Sequence, residues 1–240
     1  MFSFKPLASS SAGCCYLLGS GNLKPLLLDC GISWPRIQRG LDFKTYDVAG
    51  CLVSHAHGDH SASVTKLLEN AIDVYMSQEA WMAAWPTLNH HRAHIVEPHK
   101  EVKVGPWTVM PFDACHDEPG TLGFVCAAAS VKVLYLTDSA WSRYKFDGLT
   151  HLLIECNYAH DLIRDKVGSK VVSRDRYRRT TSSHMSLERL LEMLRANDLS
   201  KCQEIHLLHL SDDNPDQERF ARVVREATGI PTFVAPRAVV

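Results

Sequence analysis

The sequence holds eight cysteines and no CxxC pair among them. That spacing argues against a disulfide framework or a zinc knuckle. Cys14, Cys15, Cys30, Cys51, Cys115, Cys126, Cys156 and Cys202 lie mostly within apolar segments, the distribution of buried, reduced thiols. Long apolar runs are missing too. No uncharged stretch approaches the roughly 18 residues needed to span a bilayer. The opening "MFSFKPLASSSAG" lacks the basic start and unbroken apolar core of a signal peptide. These absences lead us to expect a cytoplasmic protein with no membrane association. Net charge is nearly absent, −1 over 240 residues, so no global field points to nucleic acid. Any electrostatic partner must be read from local charge. There is no internal repeat and no low-complexity linker. Apolar residues make up 45% and charged residues 22%, ordinary globular values. The expectation is one domain over residues 1–240.

What is present is a series of short β-type runs. They include "CCYLLG", "PLLLDCG", "AGCLVSH", "IDVYMS", "HIVEP", "WTVMPFDA", "GFVCAAAS", "KVLYLTDS" and "EIHLLHLS". Many are continuously apolar, as strands covered on both faces are. Helices are expected at "SVTKLLEN", at "EAWMAAW", and at "SLERLLEMLRAN" (186–197), where Leu187, Leu190, Leu191 and Leu194 share helical spacing. A further helix is expected over 215–229, with Pro215 early and Gly229 at its C-terminal cap. This pattern predicts an α/β protein of two packed sheets under outer helices.

The chemistry concentrates in "SHAHGDH", residues 54–60. His55 and His57 alternate after a strand and can aim at one point. Gly58 turns the backbone so that Asp59 and His60 aim at a second. Imidazole and carboxylate together suit Zn²⁺ and similar divalent ions. Such a motif calls for ligands downstream, and each candidate follows a β-type run: His116 in "DACHDEPG", Asp138 in "VLYLTDS" and His209 in "EIHLLHLS". His55, His57 and His116 would form one site. Asp59, His60 and His209 would form a second, with Asp138 bridging two ions, Zn²⁺ or Mn²⁺.

With those residues in view, the sequence resembles the metallo-β-lactamase superfamily, and most strongly its single-domain bacterial exonuclease group, called YycJ or WalJ. The resemblance covers nearly the whole chain. It rests on "ASSSAGCCYLL", "LLLDCGIS", the HxHxDH run, the HD and TD turns, "IECN" at 154–157, "SHMS" at 183–186 and "HLSDDN" at 209–214. One departure is Ser183, where the group often carries Gly. The resemblance implies a four-layer αββα sandwich with a dinuclear site between its sheets. Ribonuclease Z and the cyclic-phosphate phosphodiesterases are related families. In the ribonuclease Z relatives a Glu supports a late His. Glu155 and His184 match those positions here. His184 precedes the helix that starts near Ser186, where it could protonate a leaving alkoxide. Asp59, His184 and Glu155 are therefore the expected catalytic residues.

A locally basic segment precedes His184. Residues 164–179, "RDKVGSKVVSRDRYRR", carry a net +5. We expect a loop there that neutralises phosphates through Arg174, Arg176, Arg178 and Arg179 and stacks a base on Tyr177. Lys170 belongs to the same run. The expected function is a 5′→3′ DNA exonuclease. The alternatives are a phosphodiesterase for a small cyclic substrate, which would not need a run of arginines, and a glyoxalase II-like thioesterase. Other histidines read as bland. His90, His91, His94 and His99 belong to a surface or lid segment. His206 belongs to the core or to the surroundings of a ligand. Asp29, at a strand end, is placed to orient a ligand imidazole. Oligomeric state is not legible.

Overall fold

The structure is a computed structural model that describes residues 1–169, 171–211 and 217–238. Lys170 and the Asp212–Asn214 part of "HLSDDN" lie outside the described residues, as does Pro215. The chain forms two compact units. The first comprises Met1–Asp113, Glu118–Lys132 and Pro236–Val240, the second Ala114–Asp117 and Val133–Ala235.

In the first unit, β1 (Phe2–Ser10), β2 (Gly13–Ser20), β3 (Leu26–Leu28), β4 (Gly50–Leu52), β5 (Val74–Met76) and β6 (Ala93–Ile95) form a sheet in chain order. β1, β2 and β3 pair antiparallel, and β3 through β6 pair parallel. The parallel strands need crossovers. These include α1 (Trp34–Gly40), α3 (Val64–Glu69) and α4 (Gln78–Ala84), while the short α2 (Gly58–Ser61) follows β4. Ser77 caps α4 by accepting from Ala80 N at 3.1 Å. Leu27, Val53, Leu67, Val74 and Trp81 share the core on this side of the sheet. A second, antiparallel set follows: β7 (Val102–Val104), β8 (Trp107–Asp113) and β9 (Leu122–Ala128). It is tied to the first sheet where Trp107 Nε1 donates to the Lys24 carbonyl at 2.9 Å. The sequence runs did not reveal β1. Lys5, Pro6 and the serines break its apolar pattern, and the register shifts between Pro6 and Ala8.

The second unit is built on parallel strands, β10 (Val131–Leu136, entering from the first unit), β11 (His151–Glu155), β12 (Glu204–Leu208) and β13 (Thr232–Val234). β11 is buried along its whole length, which explains its continuous apolar reading. Helices α5 (His160–Gly168), α6 (Arg174–Ser183), α7 (Leu187–Ala196) and α8 (Gln217–Thr228) accompany them. α7 buries Leu187, Leu190, Met193 and Leu194, while Leu191 of the expected stripe is only half-buried. Gly229 ends α8 at φ 72°, the left-handed cap expected of it.

The basic segment corrects one expectation. It is not a loop but the end of α5 and most of α6, with a short connection between them. Ser173 caps α6 by accepting from Arg176 N at 3.2 Å. Strong helix formers follow, and Asp175 sits in the first turn, where its charge suits the helix dipole. A run of charge conceals helical propensity because it has no apolar stripe. Among the described residues no helix is long and apolar enough to cross a membrane.

Candidate functional site

The first unit supplies the histidine turn. His55 and His60 are fully buried, Asp59 is partly exposed and His57 is exposed. The buried carboxylate of Asp29 organises the turn. Its Oδ1 accepts from Ser54 N at 2.7 Å, and its Oδ2 accepts from Ser54 Oγ at 3.0 Å and His60 Nδ1 at 2.6 Å. With Nδ1 of His60 donating to Asp29, the imidazole lone pair lies on Nε2. His55 Nε2 and His57 Nδ1 stand 3.0 Å apart. Two imidazole nitrogens bound tetrahedrally to one zinc ion at ~2.0–2.1 Å would be separated by roughly 3.3 Å. The pair is therefore close to the spacing one ion requires.

The turn reaches this position only because the chain opposite it is glycine. A Cβ on Gly31 would lie 1.6 Å from the Asp59 carbonyl oxygen. Cys30 N donates to the His60 carbonyl at 2.8 Å, and Ser63 N to the Cys30 carbonyl at 3.0 Å, so backbone lies on backbone here. Gly31 and Ser54 shape the turn, and sequence reading missed both. The signal for Gly31 was its place two residues after Asp29 in "LLLDCG".

The second unit supplies a cluster drawn from five separate segments. His116 sits in the turn after β8, Asp138 after β10, Glu155 at the end of β11, His184 between α6 and α7, and His209 after β12. Ligand atoms of Asp138, Glu155, His184 and His209 all lie within 4.8 Å of one another. The His116 ring stands 5.8 Å from that of His184, and its Nδ1 lies 3.2 Å from the Ser183 carbonyl. Ser183 is an ordinary helical residue whose hydroxyl donates to the Arg179 carbonyl, so its geometry does not call for glycine.

Glu155 is the anchor of this cluster. Its Oε1 accepts from His184 Nδ1 at 2.7 Å and from His209 Nδ1 at 2.9 Å. Its Oε2 accepts from Ser139 N and Met185 N, both at 3.1 Å. Four donors occupy the carboxylate, which makes it an orienting group rather than a ligand. Burial alone would raise the Glu155 pKa, but the charge and hydrogen bond of His184 bring it below the usual value. Burial likewise works against a charged His184, but Glu155, then Asp138, lift its pKa above the ordinary histidine value. His184 also caps the C-terminus of α6, donating its N–H to the Thr180 carbonyl at 3.0 Å, where the dipole favours a cation.

His209 Nδ1 stands 2.8 Å from Asp138 Oδ1, so its lone pair also falls on Nε2. Asp138 and His209 hold left-handed backbones, φ 44° and 50°, as Asp29 does at 55°. Non-glycine residues adopt this conformation at a cost and keep it where the surroundings dictate it. For His209 the surroundings include Asn157, whose side-chain amide donates to the His209 carbonyl at 2.9 Å. Asn157 and Ser139 are further positions that sequence reading did not single out for this role.

Arg174, Arg176, Arg178 and Arg179 are exposed on α6, and Tyr177 is half-buried. Arg178 approaches Asp175 at 4.0 Å, a weak pair along the helix surface. His94 bonds the Asp73 carboxylate at 3.0 Å, and His206 bonds Glu204 at 3.1 Å. Both have ordinary structural partners.

Residues 25–207 match the family described as the β-lactamase superfamily domain. Exodeoxyribonuclease YycJ of Bacillus anthracis is 25% identical over 230 residues, covering 90% of this chain and 84% of its own. The metallo-β-lactamase fold protein YhfI of Bacillus subtilis superposes with a TM-score of 0.73 at 16% identity, covering 100% of this chain and 98% of that one. Zn²⁺-bound PqqB of Methylobacterium extorquens superposes with a TM-score of 0.74 at 12% identity, covering 100% and 99%.

Proposed function

The chain belongs to the β-lactamase superfamily, and on that premise we propose that it is a dinuclear phosphodiesterase acting on nucleic acid, specifically a 5′→3′ DNA exonuclease. Membership makes it a metal-dependent hydrolase with the αββα metallo-β-lactamase fold that its motifs implied. The family match runs through residues of both compact units, which supports reading 1–240 as one domain. The ligands of the two ions are proposed to be His55, His57, Asp59, His60, His116, Asp138 and His209. Zn²⁺ or Mn²⁺ suits such a set of imidazoles and carboxylates. Support comes from each unit separately: the paired nitrogens and carboxylate-oriented His60 in the first, the oriented His209 beside Asp138 in the second. When bound, the ions supply Lewis-acid activation of water and neutralise phosphoryl charge.

The observation that carries the phosphodiesterase reading is the Glu155 clamp on His184. With Nδ1 bound to Glu155, His184 holds its mobile proton on Nε2. Scission of a phosphodiester expels an alkoxide, and a positioned imidazolium can protonate it. Opening a lactam or a thioester makes no such demand in that form. The arginines of α6 lie directly before His184 in the chain, where they favour a polyanionic substrate over a small one. The exonuclease relative supports DNA as the polymer.

The experiment is metal-reconstituted protein assayed on single-stranded DNA, duplex DNA and RNA, each labelled at the 5′ or the 3′ end, and on cyclic nucleotides. Mononucleotides released first from the 5′ end of DNA are the expected result. Cleavage of cyclic nucleotides alone would replace the reading with the small-substrate phosphodiesterase.

A further inference from the structure

The segment that follows Asp138 is neither helix nor strand. It reads "SAWSRYKF", residues 139–146, and interleaves aromatic and basic side chains. Trp141 is 44% exposed, unusual for the largest apolar side chain in a chain that buries Trp107 completely. The Arg143 guanidinium lies 5.8 Å from the Trp141 ring centroid and 5.9 Å from that of Tyr144. Beside Trp141 runs a groove along α7 lined by Ser142, Arg189, Glu192, Met193 and Ala196.

The segment is fixed at both ends. At its root Ser139 N donates to Glu155 Oε2, and Ser139 Oγ donates to the Trp141 carbonyl at 2.8 Å. Ala140 N donates to the Cys115 carbonyl at 2.8 Å, and Arg189 to the Ala140 carbonyl at 3.0 Å. At the far end Phe146 N donates to Asn197 Oδ1 at 2.7 Å. An exposed aromatic held this way does not have to be ordered when a ligand arrives. The same carboxylate that positions His184 therefore positions the root of the aromatic segment.

We propose that Trp141, Arg143 and Tyr144 form a stacking platform for a base of a single-stranded nucleic acid substrate. The inference rests on the nuclease reading above and deepens it. An indole face and a guanidinium plane both stack on any base, so the platform is tolerant of sequence. Arg143 and Arg189 outnumber the carboxylate of Glu192 beside Trp141, which suits a phosphate backbone next to the stacked base. A small cyclic phosphate offers no flanking base to reach such a surface. A duplex end offers it only after unpairing, so the platform favours single strands or frayed ends.

The test uses the metal-reconstituted full chain, with Trp141→Ala and the conservative Trp141→Phe. Rates are measured on a labelled single-stranded oligonucleotide and on bis(p-nitrophenyl) phosphate. Stacking on one base is worth about 5- to 150-fold in binding. The expected result is a fall of that size in the ratio of oligonucleotide to small-diester kcat/KM for Trp141→Ala, carried mainly by KM, with most of it restored in Trp141→Phe. A wild-type protein that degrades the oligonucleotide no faster than Trp141→Ala does overturns the platform and leaves the nuclease reading intact. A wild-type protein that hydrolyses the small diester but no nucleic acid overturns both.

Discussion

The two clusters of ionisable side chains are built in opposite ways. The histidine turn of the first unit takes four of its members from six consecutive residues, and only Asp29 comes from elsewhere. The cluster of the second unit takes His116, Asp138, Glu155, His184 and His209 from five segments spread over 94 positions. The first is a local motif steadied by one carboxylate behind it. In the second, parallel strands end side by side and deliver Asp138, Glu155 and His209 to one edge, while His184 and His116 arrive from other turns. The two clusters should therefore fail differently: the turn through lost metal alone, the strand-end cluster also through loss of a proton donor, which the leaving group feels.

The largest effect is expected at the turn. Asp59→Ala should fold and yet reduce turnover to background, with bound metal falling from two ions per chain. His209→Ala should lower metal content in the same way from the other cluster. Elemental analysis alongside circular dichroism checks both. A folded, fully active Asp59→Ala protein would show the turn misread, and an unchanged metal content in His209→Ala would remove the second ion.

Next in size is the contrast between proton donor and orienting carboxylate. His184→Ala should lose about 10²- to 10⁴-fold in kcat, most severely for substrates whose leaving group has a high pKa. Asp29→Asn, which weakens the orientation of His60, should lose about 10- to 100-fold in metal affinity or activity with no such dependence on the leaving group. Equal sensitivity to the leaving group in both variants would erase the distinction drawn between the clusters.

Most of the histidine turn was legible in the residues, and so were its expected partners at strand ends. Spacing alone carries a local motif, because neighbouring side chains after a strand have few directions to point. The helical state of the basic run was not legible, since helix α6 lies on the surface with no apolar stripe to betray it. Ser54, Ser139 and Asn157 were invisible in these roles, and Gly31 nearly so. They act through backbone contacts with residues distant in sequence, which no local pattern encodes.

A smaller effect tests the helix. Arg176→Ala/Arg178→Ala/Arg179→Ala should weaken DNA binding and flatten its salt dependence by about 2 in log–log slope, because fewer counterions are displaced. Binding titrations across a salt series measure this. An unchanged slope would take α6 out of the interface.

The smallest effect concerns stability rather than chemistry. Burial lowers the pKa of His151, at the start of β11, to about 4, with Glu204 opposing part of the shift. The folded state therefore keeps this ring neutral, while the unfolded chain protonates it near 6.5. Its contribution to stability is complete above pH 6.5 and is lost as pH falls towards 4. Thermal unfolding between pH 7 and 4 should show a shallower decline for His151→Gln than for the wild type. Parallel curves would place the acid sensitivity of the second unit elsewhere.

The amino-acid sequence by itself determined the kind of chemistry available here: a histidine and carboxylate set suited to divalent ions, carried at the ends of apolar strands. It also determined the superfamily, because the motifs that carry the resemblance are short, ordered and spread along the chain. Only the tertiary structure showed which carboxylates orient the imidazoles. Glu155 is a clamp because four donors from three remote segments fill its oxygens. Asp138 and His209 hold left-handed backbones because strand pairing and Asn157 hold them there. Those are consequences of chain crossings, and free energy shared among distant segments leaves no trace in the spacing of any one of them.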